Sequence, residues 1–198
     1  MNRIESLFVT NLYRAELGRR LNADLARTCL AIAAEDRAGQ RWAREHDYKG
    51  YTSYASLNDL TTRASVFDEL ERMIAGHVRD FAKALDFERT KLAIDSLWIN
   101  VMPKGGMHSA HIHPHSVISG TYYVQIAKGA SAIRFEDPRL PLMMAAPPKR
   151  AKAKRENQTF ASAEPKAGTL LLWESFVRHE VPLNKANGAR ISVSFNYA

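Results

Sequence analysis

The sequence predicts an α+β, mainly β chain in which two sheets pack as a barrel or jelly roll, with N-terminal helices on one outer face. Three observations carry that prediction. Helix formers with apolar residues at three- and four-residue spacing fill much of the first half. Short runs rich in Val, Ile, Tyr, Phe and Trp fill the second half, separated by turn residues. The last of these runs alternates apolar and polar residues throughout. At 198 residues, 45% hydrophobic and 25% charged, the chain has enough apolar side chains for one sizeable core. One domain is expected over 1–198, mainly helical over 1–91, with the β core over 92–198 and a long loop at 138–168.

From about Asn11 to Asp36, Leu17, Leu21, Leu25, Cys29 and Ile32 recur at helical spacing and predict one helix with a single buried stripe. Residues 47–64 are rich in Tyr, Ser and Thr and read as an irregular connection. Ser65 opens "SVFD", a capping-box-like start with Asp68 three positions on. Behind it Val66, Leu70, Met73, Ile74, His77, Phe81 and Leu85 predict a second amphipathic helix, with His77 as a satisfied core residue. Strand-like runs follow at 92–102, 119–127, 131–137, 168–175 and 189–198. Asn187-Gly188 before the last run is a hairpin signal, because both residues tolerate positive φ. In that run Arg190, Ser192, Ser194 and Asn196 alternate with Ile191, Val193, Phe195 and Tyr197, so one face packs while the polar face lines something.

Several function classes are disfavoured by composition. The single cysteine, Cys29, cannot form an internal disulfide and reads as a buried apolar residue. There is no signal-peptide pattern at the N-terminus and no run of about 18 apolar residues, so no membrane span and a cytoplasmic location are expected. The net charge of +7 is spread along the chain except for "PPKRAKAKRE" at 147–156, which reads as a solvated loop, and nucleic acid is not an expected partner.

The chemistry is concentrated in "HSAHIHPHS", 108–116, which holds His108, His111, His113 and His115, four of the seven histidines in the chain. Residues two apart on a strand face the same side, so His111 with His113, or His113 with His115, can aim two imidazoles at one ion. His179, in "LLLWESFVRHEVPLN", is a third donor from a distant part of the chain. Eleven residues later Arg190 and Ser192 form an R-x-S pair on the polar face of the last strand.

With those residues in place, the chain resembles the iron(II)/2-oxoglutarate oxygenases. It is most similar to a family whose members carry, in order, H-x-H-P-x-S, S-G-x-Y-Y-V, F-x-D-P-R, G-x-L-L-L-(F/W), H-x-V-x-x-N and R-I-S-x-S-F-N. Here the pieces read "HIHPHS", "SGTYYV", "FEDPR", "GTLLLW", "HEVPLN" and "RISVSFN". The resemblance covers 98–197 and extends loosely to "GYTSYASLNDL". It implies a double-stranded β-helix form of the jelly roll and an oxidoreductase of the dioxygenase type, hydroxylating a small-molecule or peptide substrate. It also implies the cofactors iron(II) and 2-oxoglutarate, with His111, His113 and His179 as metal ligands. His108 and His115 are left beside the site or facing solvent. Arg190 and Ser192 would hold the distal carboxylate of 2-oxoglutarate, with Tyr123 and Asn100 as further contacts.

The chain departs from the wider superfamily at His113, which stands where a carboxylate ligand is usual. Asp137 is a nearby carboxylate, but its Asp-Pro-Arg setting reads as a turn. Three histidines also suit a cupin-like metalloenzyme that needs no 2-oxoglutarate, and the scaffold alone suits a non-catalytic binding module. The loop at 138–168 is expected to border the pocket, with Leu140, Leu142, Met143 and Met144 sheltering substrate.

Overall fold

The structure, a computed structural model, describes residues 2–88 and 91–198. In chain order it forms β1 (Leu12–Glu16), α1 (Asn22–Glu35), α2 (Arg37–Glu45), β2 (Tyr51–Thr52), α3 (Ser65–Ala84), β3 (Ile94–Met102), β4 (His108–His111), β5 (Ile118–Gln125), β6 (Ile133–Glu136), the single-turn α4 (Leu142–Ala145), β7 (Phe160–Ala163), β8 (Thr169–Glu174), β9 (His179–Val181) and β10 (Arg190–Tyr197). One sheet runs β1-β8-β5-β10-β3-β2 and the other β4-β9-β6-β7. All pairings between these strands are antiparallel. This is the expected two-sheet jelly roll.

Alternation along the strands of the larger sheet sorts side chains onto two faces. Ile191, Val193, Phe195, Tyr122, Leu170 and Leu172 pack on the helical layer, against Leu25 and Cys29 of α1 and Phe67, Leu70, Ile74, Val78 and Phe81 of α3. Tyr123, Leu171, Trp173 and Met102 face inward and meet Ile133, Phe135 and Val181 of the smaller sheet. Cys29 is fully buried, and burial pushes its thiol up to about 12, as expected of a packing residue rather than a nucleophile. His77 of α3 lies 2.8 Å from the Tyr13 hydroxyl and is a satisfied packing residue.

Several local expectations are corrected. Asn11 to Asp36 is not one helix: Leu12–Glu16 forms edge strand β1 on β8, with Leu12 opposite Trp173 and Glu16 opposite Thr169. Five residues of fair helix propensity are captured because the edge of β8 satisfies their backbone, and tertiary pairing outweighs propensity. The turn into α1 uses Gly18 at φ 77, a conformation that glycine adopts without strain. A helix that the 3.6-residue pattern does not reveal, α2, follows Asp36, whose carboxylate accepts from the Gly39 backbone N–H, the Tyr51 hydroxyl and the Ser56 hydroxyl. That one cap joins α2 to β2 and to the turn that follows it. Ser65 does not cap α3: Ala64 is the extended residue before the helix, and no side chain caps it. Asp68 instead pairs with Arg72 one turn on and sits favourably in the first turn. Asn187-Gly188 does not make a hairpin either. It joins β9 to β10, which belong to different sheets, and β10 pairs with β3 and β5.

Gly120 on β5 marks the tightest packing in the sheet. A Cβ there would collide with the Phe195 ring and lie 2.7 Å from Leu172 Cδ2. Gly120→Ala is expected to destabilise the protein by about 1–3 kcal/mol, the usual range for overpacking a core. Urea unfolding checks this, and an unchanged midpoint would mean that the Phe195 ring moves aside freely.

Candidate metal centre and anion cavity

His111 closes β4 and stands directly opposite His179, the first residue of β9, in the antiparallel register. Two imidazoles therefore meet across neighbouring strands, with ring centroids 4.4 Å apart. His113 arrives by a different route from the same-strand alternation expected of it. It lies beyond the end of β4, where its backbone N–H donates to the Ser175 carbonyl at 3.1 Å. That bond carries its ring to 5.1 Å from His111 and 5.2 Å from His179. One possible ligand atom from each of the three lies within 4.8 Å of the others.

The hydrogen bonds around the rings suit a metal. His111 Nδ1 donates to the Ser109 carbonyl at 2.7 Å and His179 Nδ1 to the Val177 carbonyl at 2.9 Å. A carbonyl only accepts, so both rings carry their proton on Nδ1 and keep an Nε2 lone pair free for a cation. His179 is buried, and Trp173 and Phe135 pack around it, with ring centroids at 4.7 and 6.0 Å. Burial, followed by the neighbouring His111, pushes His113 down to about 4 and His179 down to about 3. Both are neutral at pH 7, the state a metal requires. His115, at φ 70, is exposed and takes no part. Asp137 is also outside the cluster, since its carboxylate is occupied by Arg139.

The same lowering predicts acid sensitivity. His108, His113 and His179 have folded-state values of about 3, 4 and 3, below the usual histidine value. The unfolded chain therefore takes up protons first as pH falls. Stability is complete above about pH 6.5 and is lost progressively toward the folded-state values. Metal-free protein should unfold at a lower temperature at pH 5 than at pH 7. Equal melting temperatures would show that these rings accept protons without opening the fold.

The polar face of β10 completes the cavity. Ser192 stands opposite Asn100 of β3 on one side and Tyr123 of β5 on the other, so all three residues form one row across the sheet. Arg190 is 2% exposed; it donates to Ser192 Oγ at 3.2 Å, its guanidinium lies 5.0 Å from the Tyr123 ring centre, and it forms no ion pair among the described residues. Arg190 Nε, the Tyr123 hydroxyl, Asn100 Oδ1 and Trp173 Nε1 are all buried without a hydrogen-bond partner. Arg190, Ser192, Asn100 and the three histidines line one narrow cavity of about 50 Å³. A buried cation and an unpaired phenol are costly unless an anion joins them, so these residues fit a carboxylate ligand beside a metal.

A second, larger cavity of about 480 Å³ shares one lining residue, Trp173, with the first. Its walls are the segment 4–12, the roots of the loop around Pro138 and Gln158, and Phe135 and Val177. The loop is shorter than the expected 138–168, because Phe160–Ala163 forms β7. The apolar tip is corrected as well. Leu140, Met143 and Met144 are exposed, and Leu140 and Leu142 line a separate depression rather than either cavity beside the histidines. Sequence reasoning missed the N-terminal contribution: "IESLFVTN" has no periodic signal, and its role comes from lying over the sheet edge.

Comparison with known proteins supports the same reading. Residues 96–196 match the model of the "Putative 2OG-Fe(II) oxygenase" family. A prolyl-4-hydroxylase from Pseudomonas putida is similar at a TM-score of 0.64 and 16% identity, over 95% of this chain and 92% of its own. The epimerase SnoN, in complex with Fe3+, alpha ketoglutarate and nogalamycin RO, gives a TM-score of 0.67 at 10% identity, over 95% of this chain and 78% of its own. An oxidoreductase of the 2OG-Fe(II) oxygenase family from Burkholderia pseudomallei is matched at 18% identity and a TM-score of 0.46, over 61% of this chain and 51% of its own, so this chain spans about half of that relative. No curated protein matches the sequence. The family match covers the β3 to β10 core that holds the histidines and Arg190, and on that ground the chain belongs to the 2OG-Fe(II) oxygenases, oxidoreductases that use iron and 2-oxoglutarate.

Proposed function

We propose that His111, His113 and His179 hold iron(II) and that Arg190, Ser192, Tyr123 and Asn100 hold 2-oxoglutarate, in an oxygenase acting on a peptide or small molecule. The observation that carries this reading is the buried, unpaired Arg190 sharing one narrow cavity with three convergent histidines. With both groups bound, the centre supplies the oxidising power that comes from coupling oxygen to decarboxylation of the keto acid.

Each residue has a definable part. His111 and His179 are already oriented by the Ser109 and Val177 carbonyls, so these two rings lose little freedom on taking up a cation. Three neutral ligands leave the metal's full charge uncompensated, which favours a dianionic co-substrate. Arg190 and Ser192 fix the far carboxylate, and the Tyr123 hydroxyl supplies a further donor. Trp98 and Trp173 wall the histidines on two sides and limit water.

The larger cavity is the proposed place for the primary substrate. Its volume of about 480 Å³ suits a side chain of a bound peptide or a compact metabolite, and Trp173 lines both it and the histidine cavity. The P. putida relative is a prolyl hydroxylase and the SnoN complex holds a small molecule, so both substrate classes are tested. We read 1–198 as one domain, supported by the larger sheet, which contributes to both hydrophobic clusters, and place it in the cytoplasm, supported by a single buried cysteine. No helix among the described residues is long and apolar enough to cross a membrane.

Iron-loaded protein incubated in air with 2-oxoglutarate alone should release succinate slowly, and a true substrate should accelerate it. Absence of iron-dependent succinate would contradict the proposal.

A further inference from the structure

We infer that His108 is a further ligand for the distal carboxylate of 2-oxoglutarate and that Tyr48 positions it for that contact. The inference rests on the reading of the Arg190 cavity as the co-substrate site.

His108 opens β4 and lines the same narrow cavity as Arg190 and Ser192. It is not one of the three convergent histidines; its ring centre lies 6.1 Å from that of His111. Its Nε2 is 2.8 Å from the Tyr48 hydroxyl, with the two rings tilted and 5.0 Å apart. Tyr48 is held in the turn after α2 by a 2.8 Å bond from its backbone N–H to the Ala43 carbonyl.

The direction of that contact follows from what each group can offer. Burial raises the Tyr48 phenol above its ordinary range, against the pull of the nearby Arg190 charge, so the phenol keeps its proton. Among the described residues the only acceptor for that proton is His108 Nε2. If His108 donated to the phenol oxygen instead, the half-buried hydroxyl hydrogen would be left without an acceptor among the described residues. A neutral imidazole has one N–H. With Nε2 accepting from Tyr48, that N–H sits on Nδ1, which has no partner among the described residues.

Beside His108 in the same cavity, the Arg190 Nε–H is buried without a partner, as is the Tyr123 hydroxyl in the row across the sheet. Asn100 Oδ1 is the single unpaired acceptor of the row. An excess of donors around one cation is the surrounding for an ionised carboxylate. His115, by contrast, is exposed and offers nothing here.

The test is anaerobic calorimetric titration of iron(II)-loaded full-length protein with two ligands. One is 2-oxoglutarate; the other is 2-oxobutanoate, which keeps the keto-acid end but lacks the distal carboxylate. Tyr48→Phe should weaken 2-oxoglutarate by about tenfold, the effect of one hydrogen bond to a charged group, and His108→Ala by at least as much. His108→Asn, whose amide N–H falls near the Nδ1 position, should recover most of the loss. Iron stoichiometry and 2-oxobutanoate binding should match wild type in all three variants. Unchanged 2-oxoglutarate affinity in both Tyr48→Phe and His108→Ala, or an equal loss for both acids, would overturn the inference. Wild type that binds no 2-oxoglutarate at all would overturn the reading of the cavity itself.

Discussion

Replacing His179 by alanine is expected to abolish stoichiometric iron(II) binding, and His111→Ala and His113→Ala should do the same. Each removes one of three donors whose ligand atoms lie within 4.8 Å of one another. Loss of an outer hydrogen-bond partner typically weakens a metal site by about 10–100-fold, and loss of a ligand should exceed that. His179 is the most informative of the three. Its Nδ1 is fixed on the Val177 carbonyl and its ring is held by Trp173 and Phe135, and among the described residues no further His, Cys, Asp or Glu joins the cluster. His115→Ala is the control, since that residue is exposed at a left-handed turn. Metal analysis after anaerobic loading and desalting reads the outcome. Retention of iron by His179→Ala, or its loss from His115→Ala, would mean that a different histidine set binds.

The second large effect is at Arg190. Arg190→Met should nearly eliminate 2-oxoglutarate binding while leaving iron in place, and Arg190→Lys should weaken it less severely. Removing one partner of a buried, hydrogen-bonded charge pair costs about 2–5 kcal/mol, equivalent to about 30-fold or more in affinity. Lysine keeps the charge but loses the planar fork that matches a carboxylate. Methionine keeps the apolar stem and removes both, so the inner sheet face has a residue of similar bulk to pack. Anaerobic calorimetry with iron-loaded protein checks this, and equal affinity in wild type and Arg190→Met would remove the anion role from Arg190.

The parts of this site that were legible in the sequence are those governed by local periodicity. Arg190, Ser192, Ser194 and Asn196 alternate on β10, and their inward face follows from the two-residue repeat of a strand. Tyr122 and Tyr123 divide between the helical layer and the interior for the same reason. The identity of the three histidines was legible, but their geometry was not. His113 reaches the cluster through a backbone bond to Ser175, a contact 62 positions distant along the chain that no spacing within 108–116 encodes. The misread segments fail for related reasons. Leu12–Glu16 has helix-forming residues but lies where β8 offers an open edge, and β7 is too short and small-residued for alternation to show. The bond from His108 to Tyr48 was not legible, because Tyr48 lies in a polar connection without a pattern. Where a role depends on a tertiary hydrogen bond between irregular segments, neither period nor composition carries it.

With His113 as a proposed ligand, the site would differ from one built on two histidines and a carboxylate. A carboxylate ligand would neutralise part of the metal's charge, whereas the imidazole at this position is neutral and buried. If iron and 2-oxoglutarate bind as proposed, the co-substrate dianion and the buried Arg190 would be the main charges beside the metal.

The most direct test is anaerobic absorption spectroscopy as iron(II) and then 2-oxoglutarate are added to metal-free protein. The account predicts a visible charge-transfer band that requires both additions, saturates at one equivalent of iron, and is lost in Arg190→Met. Stoichiometric iron binding with no band and no change on adding 2-oxoglutarate would contradict it, and would instead describe a three-histidine metalloenzyme that does not use this co-substrate.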